Sequence, residues 1–135
     1  MTNRDPMPEP TSSRRTFLCC AAGATAALAV GCGTGRASDA APFTVAATEI
    51  PIGGATFFPD QATVVTQPNV GEFHAFSTTC THQGCTVNEI RNGLIRCPCH
   101  GSRFRITDGS AQRGPARDPL ARRETALTGN DIRIT

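Results

Sequence analysis

The 135-residue sequence has no tryptophan, no tyrosine and no lysine. Without the two larger aromatics, seven phenylalanines have to supply most of the bulky packing of any core. All 13 positive charges are arginines, and three of them (Arg4, Arg14, Arg15) stand near the N-terminus. From Cys32 onward ten arginines face nine acidic residues, a balance of about +1 that gives no argument for a nucleic-acid binder, which is read from a marked basic excess. No apolar run approaches the ~20 residues of a membrane-spanning helix; the run from Leu18 to Val30 falls short. No segment outside that run sustains a helical period, and no nucleophile–base pair is visible. What the chain does have is 13 Gly, 10 Pro and seven Cys. Glycine and proline at that density suit short strands joined by turns. A core of roughly 90 residues is small enough for a bound metal or a disulfide to matter to its stability.

The N-terminal region reads as a leader. Ser13-Arg14-Arg15-Thr16-Phe17-Leu18 resembles the twin-arginine export motif, and the apolar run behind it has the length of a signal h-region. It ends in Leu28-Ala29-Val30-Gly31-Cys32-Gly33, which resembles a bacterial lipobox, with Ala29 where leucine is most usual. The resemblance implies lipidation at Cys32, export, and a place at the outer face of the cytoplasmic membrane by a lipid anchor. Cys19 and Cys20 read as small apolar members of the run. The expected organisation is a cleaved or lipidated signal segment at 1–31, a flexible tether at 32–42, and one domain at 43–135.

Strand-like segments follow at short intervals from Phe43: 43–47, 55–58, 62–66, 72–76, 86–90, 94–96, 103–107, 121–127 and 132–135. Turns are marked by Gly53-Gly54, Pro59-Asp60-Gln61, Asp108-Gly109 and Gly129-Asn130-Asp131. Asn92-Gly93 is a strong two-residue hairpin signal. The pattern predicts an all-β domain.

Two blocks concentrate the chemistry: Cys80-Thr81-His82-Gln83-Gly84-Cys85 and Cys97-Pro98-Cys99-His100-Gly101-Ser102. Each has cysteine and histidine at near-neighbour spacing, and each carries a second cysteine. The Asn92-Gly93 hairpin is expected to fold the blocks alongside each other, so that two loops present ligands to one point. Two Cys and two His could hold one metal centre while the other two cysteines pair. Zinc is a competing occupant of a Cys₂His₂ set. Zinc folds, however, favour C-x₂₋₄-C with H-x₃₋₅-H over C-x-H and C-x₂-H. His74, the third histidine, alternates with Glu72 and is expected at the surface.

C-x-H-x-G-C followed by C-P-C-H-G-S resembles the cluster-binding motif of Rieske [2Fe–2S] proteins. The resemblance implies a small antiparallel β-sandwich with two cluster-binding loops. It implies that Cys80 and Cys97 ligate one iron and His82 and His100 the other, while Cys85 and Cys99 form a disulfide between the loops. Such centres span about −150 to about +300 mV, against about −400 mV for four-cysteine plant-type clusters. Ser102 matches the family serine that bonds a bridging sulfide. Phe104 stands where high-potential members have tyrosine, so the expected potential lies above that of the disulfide-lacking ferredoxins and below the Ser/Tyr type. Gln83 stands where quinol-oxidising relatives often have leucine. Gly114-Pro115-Ala116 resembles the loop that covers the third side of the cluster, with Arg117 where a further proline is common. The implied function is electron transfer, as the iron–sulfur subunit of a quinol–cytochrome c (bc-type) oxidoreductase or as a carrier for another exported oxidoreductase. The implied partner is a redox protein, a cytochrome or oxidoreductase subunit, together with quinol.

Overall fold

A computed structural model describes residues 40–135. The signal segment 1–31, Cys32 and most of the tether lie outside the described residues. Eleven short strands follow one another: β1 (Phe43–Ala46), β2 (Gly54–Phe58), β3 (Thr63–Gln67), β4 (His74–Ser77), β5 (Glu89–Arg91), β6 (Leu94–Arg96), β7 (Arg103–Arg105), β8 (Ala111–Arg113), β9 (Arg122–Arg123), β10 (Thr125–Thr128) and β11 (Asp131–Ile134). They form three antiparallel sheets in the orders β1-β11-β10, β2-β3-β4-β9 and β5-β6-β7-β8. Among the described residues no helix is long and apolar enough to cross a membrane.

The sheet β2-β3-β4-β9 lies in the middle and gives a core to each side. Val64 and its cross-strand partner Phe76 join Val87, Ile95, Phe104, Ile106 and Leu120 in one core, under the sheet β5–β8. Val65 and its partner Ala75 join Val45, Ile132 and Ile134 in the other, under β1-β11-β10. Successive side chains of a strand point to opposite faces. A strand covered on both faces therefore needs no polar alternation, and all five residues of β3, Thr63-Val64-Val65-Thr66-Gln67, are buried. Each wholly buried Phe or Val contributes about 1.5–3 kcal/mol by leaving water.

The Asn92-Gly93 pair closes β5 onto β6 as expected, with positive φ at both residues (53° and 70°) and Arg91 opposite Leu94. Four expectations change. The strand expected over 86–90 runs instead from Glu89 to Arg91, with Thr86 held only by an isolated bridge to Thr79. The strand beginning at Arg103 stops at Arg105 instead of running to 107, because the chain turns there and returns as β8, which the sequence pattern did not suggest. The segment 121–127 is split: β9 pairs with β4 in the middle sheet, while β10 pairs with β11 in the outer one. The strand expected over 72–76 begins at His74. Arg123 marks the split. It is 4% exposed, and its guanidinium donates to the Thr63 hydroxyl at 2.7 Å and to the Ala40 carbonyl at 2.6 Å, fixing where the chain enters the domain.

The turn between β7 and β8 contains the tightest backbone approach. Gly109 has φ 74°, and a Cβ there would stand 2.7 Å from the Phe76 ring. Gly129 has φ 60° with open space around it. Both positions disfavour a side chain, but only Gly109 lacks room for one. Gly109→Ala should therefore cost about 1–3 kcal/mol more than Gly129→Ala, through overpacking against Phe76. Urea unfolding of the two variants would check this, and equal losses would show that the Phe76 contact is easily relieved.

Candidate metal centre

The first block leaves the middle sheet directly. β4 ends at Ser77, and the chain is pinned by Thr78, whose carbonyl accepts from the Val87 N–H at 2.8 Å, and by a bridge between Thr79 and Thr86. Within the block, Cys80 N–H donates to the Cys85 carbonyl at 2.8 Å, and Gly84 N–H donates to the Cys80 carbonyl at 2.9 Å. The second block joins β6 to β7 with the same pattern. Cys97 N–H donates to the Ser102 carbonyl at 2.8 Å, and Gly101 N–H to the Cys97 carbonyl at 3.2 Å. Gly84 and Gly101 have φ 79° and 77°, the left-handed residue that closes such a loop. Arg105–Ser110 is a third copy of the loop, with Gly109 in the same place, but without cysteine or histidine.

Two loops of one design thus put a cysteine at the same first position, and both thiols point inward. Cys80 is 2% exposed and Cys97 1%, and both belong to the core that holds Phe104. Burial pushes the Cys80 thiol above its ordinary pKa. The His82 N–H acts against this, the Cys97 thiol adds to it, and the Ser102 hydroxyl acts against it again. A thiol so placed becomes a thiolate when a metal displaces its proton. The histidines take the outer position. His82 is half-buried and His100 exposed, with ring centroids 4.9 Å apart and planes at 89°.

The donor arrangement tests what the residues can hold. Around one tetrahedral zinc, with bonds of about 2.0–2.3 Å, all four donors would crowd within about 4 Å of one another. Among the described residues, the Cys/His/carboxylate group lying within 4.8 Å is Cys85, Cys97 and Cys99, and neither histidine joins it. That triplet is no ion cradle, because Cys85 and Cys99 are bonded to each other as a disulfide. Instead the free donors fall into two pairs, thiols within and imidazoles without. A two-iron cluster with a different ligand pair on each iron fits this division; a single ion does not.

Three connections hold the two loops together. The Cys85–Cys99 disulfide joins residues whose Cα atoms are 6.5 Å apart. Ser102, wholly buried, accepts from the Ala116 N–H at 3.0 Å and turns its hydroxyl toward Cys80. Thr81 donates to the Asp118 carbonyl at 2.7 Å. The last two tie the segment 114–118 under both loops, with Ala116 buried and Gly114, Pro115 and Arg117 exposed. The roles of Thr81 and Asp118 have no signature in the sequence, since one contact is to a backbone carbonyl 37 residues away. Phe104 is wholly buried opposite Ile95, and Gln83 is exposed beside His82.

His74 is not at the surface in the sense expected. Its side chain is 14% exposed and bridges two strands, with Nε2 2.8 Å from Glu72 and Nδ1 2.9 Å from Arg122. Arginine can only donate, so Nδ1 accepts and Nε2 carries the proton. The Asn69 amide, and then His74, hold the Glu72 carboxyl below its usual range. His74 takes no part in the donor set. An open groove of about 520 Å³, lined by Ile52, Val70 and Leu127, lies at the opposite end of the middle sheet from the blocks and has no ligand-type residues.

Comparison with known proteins gives a consistent result. The sequence model of the Rieske [2Fe-2S] domain matches residues 43–124. The chain is 33% identical over 91 residues to the cytochrome b6-f complex iron-sulfur subunit of Chlorobaculum thiosulfatiphilum, covering 66% of this chain and 50% of the relative. It is 44% identical over 48 residues to a putative respiratory nitrate reductase subunit Rieske of Haloferax mediterranei, covering 36% of this chain and 22% of the relative. The crystal structure of the cyanobacterial plasma membrane Rieske protein PetC3 from Synechocystis PCC 6803 matches with a TM-score of 0.52 and 37% identity, over 61% of this chain and 84% of that one. The chain spans half, or less, of the length of these two curated relatives.

Two substitutions separate the connections. Ser102→Ala leaves the buried Ala116 N–H without its acceptor and should cost about 1–3 kcal/mol. Replacing Cys85 and Cys99 together by alanine opens a loop with a sequence separation of 14 and should cost about 3 kcal/mol. Denaturant titration of each variant measures these losses; a Ser102→Ala protein as stable as the parent would mean that water or a repacked neighbour takes up the amide.

Proposed function

This chain belongs to the Rieske [2Fe–2S] domain family, and from that footing we propose that it is the iron–sulfur subunit of a quinol–cytochrome c (bc-type) respiratory oxidoreductase. Cys80 and Cys97 hold one iron, and His82 and His100 hold the other. The observation that carries this assignment is the sorting of donors: two thiols buried together in the core, two imidazoles together at the surface. A bound [2Fe–2S] group supplies a one-electron donor and acceptor whose potential is raised by its two neutral ligands.

The chain's residues set the rest. The buried thiols exclude water from the inner end, and the core around them keeps it dry. The imidazoles form the outer end, so a partner reaches the centre through His82 and His100. A ring nitrogen not used in ligation can give up or take a proton, which couples electron transfer to the proton chemistry of a quinol. Ser102 is held in place by the Ala116 N–H, so its hydroxyl is directed at the sulfur side of the site and favours the electron-rich, reduced form. The chain transfers electrons within a larger assembly and does not form a complete enzyme alone.

The leader supports a location to match. A twin-arginine segment at 13–18 exports proteins already folded around a cofactor, and Cys32 would tether the domain by lipid to the outer face of the cytoplasmic membrane. The curated relatives favour the bc-type reading, since the match over 91 residues is to a cytochrome b6-f subunit. A second reading, a Rieske carrier for another exported oxidoreductase, is favoured by the exposed polar Gln83 beside His82 and by the nitrate-reductase relative.

Electron paramagnetic resonance of the reduced protein, with iron and zinc analysis, tests the centre. A two-iron signal lost in His82→Ala and Cys97→Ser is expected, and a zinc-loaded, silent protein would refute it. Quinol oxidation by membranes lacking the chain tests the assembly: a large loss is expected, and unchanged activity would leave the carrier reading. Phe104→Tyr adds a hydroxyl beside the ligand cysteines and should raise the midpoint potential; a redox titration without a rise would refute the tuning role of this position.

A further inference from the structure

The cross-strand register of β5–β8 places one row of side chains in line: Glu89 opposite Arg96, Arg96 opposite Arg103, and Arg103 opposite Arg113, the last across a register shift at Arg103/Phe104 that leaves Gln112 of β8 without a partner. Directly opposed residues of antiparallel strands project from the same face. The intervening residues Ile90, Ile95 and Phe104 point into the core, so the row lies on the outer face of the sheet. Two residues further along the strands, Arg91 and Arg105 project from that face on either side of Leu94. Five arginines thus share one small sheet surface with a single acid.

Glu89 neutralises part of this charge, 3.3 Å from Arg96 and 4.0 Å from Arg91. Arg103, Arg105 and Arg113 have no ion pair among the described residues. Asp108 in the nearby turn feels Arg105, but its carboxylate accepts from the Ser110 N–H at 2.9 Å and the Ser110 hydroxyl at 2.6 Å. Like charges directly opposite one another destabilise a sheet. The fold therefore carries a cost that an opposing negative surface would relieve.

The charge is also segregated along the chain. Residues 78–118, which include both blocks, have six arginines against three acidic residues, while the remaining described residues have three against five. The near-neutral total hides a basic stretch of chain flanked by more acidic ones. Moreover the arginine row adjoins the second block in the chain. Arg96 immediately precedes the Cys97–Ser102 loop, Arg103 immediately follows it, and Arg113 precedes the segment 114–118 that packs under it.

We infer that the outer face of β5–β8, through Arg96, Arg103 and Arg113 with Arg91 and Arg105 behind them, is the docking face for an acidic protein surface that bears the redox partner's centre. The inference rests on the electron-transfer reading above and names the chemistry of its partner. A protein is favoured over an anionic membrane because the row flanks the loop that carries His100, and a lipid surface there would carry no redox centre. The opposed charges orient the partner during encounter, so the effect is largest on association and falls with salt.

The full, cluster-loaded chain would be titrated with two probes, poly-L-glutamate and an acidic c-type cytochrome. Salt would run from about 10 mM to about 150 mM, over which the screening length falls from about 30 to about 8 Å. Both probes should bind with salt-dependent affinity. The double variant Arg103→Gln/Arg113→Gln should bind about tenfold more weakly. Arg103→Lys/Arg113→Lys, which keeps the charges, should retain binding, and Arg133→Gln on β11 should not alter it. Binding unchanged in the glutamine double variant would overturn the inference. So would binding to phosphatidylglycerol–phosphatidylcholine vesicles with none to either probe, which would make the face a membrane surface. Absence of a two-iron signal in the parent would refute the function proposed above. Poly-L-glutamate binding needs no electron transfer and would still decide the docking face.

Discussion

Two thiols that arise 17 positions apart in the chain have to meet, buried, at one point, and most of the architecture serves that meeting. The backbone solves it by using one six-residue loop twice. In each copy the first residue's N–H and C=O are both bonded within the loop, which fixes the direction of the cysteine side chain before any tertiary contact is made. The glycine near the end of each copy takes the positive φ that closes the loop. A third copy, between β7 and β8, spends the same geometry on packing: Gly109 lies against Phe76, and the Ile106 carbonyl accepts from Thr66 of the middle sheet at 2.7 Å. The loop design is therefore a general connection in this sheet, made into a site at 80–85 and 97–102 by the side chains it carries.

Holding two such loops together takes more than their own hydrogen bonds. The disulfide joins the loops directly, while the Ser102–Ala116 and Thr81–Asp118 bonds tie each of them to the segment 114–118. Behind them the core is continuous, so Cys80 and Cys97 are packed among Val64, Phe76, Ile95 and Phe104. Inner and outer ends of the site then differ in kind. The thiol end is apolar and dry, and the imidazole end is open to approach. The arginine row on the sheet that carries the second loop adds direction to that approach through its charge.

Much of the site was legible in the sequence because its determinants are local. The spacing within each block already places cysteine, histidine and glycine on a loop, and Asn92-Gly93 specifies a hairpin because few other dipeptides accept positive φ at both positions. What escaped notice depends on distant partners. β8 consists of Ala111, Gln112 and Arg113, which have no strand pattern of their own and are strand only because β7 offers a ladder. The split of 121–127 follows from Arg123 being drawn into the middle sheet by Thr63 and Ala40, and nothing near Arg123 in the chain announces it. His74 looked exposed because it alternates with a charged neighbour, whereas Glu72 just before β4 and Arg122 of β9 enclose it.

The sequence by itself determined the all-β class, the two blocks, their donor types and the hairpin between them, because each of these follows from residues a few positions apart. Tertiary structure decided what those donors form together. Pairing of strands set the middle sheet between two cores, made β3 wholly buried, turned both thiols inward and left both imidazoles outward. It also aligned Arg96, Arg103 and Arg113, which are seven or more positions apart in the chain, into one charged row. Register is a property of strand pairs, and a pair exists only once the chain has folded.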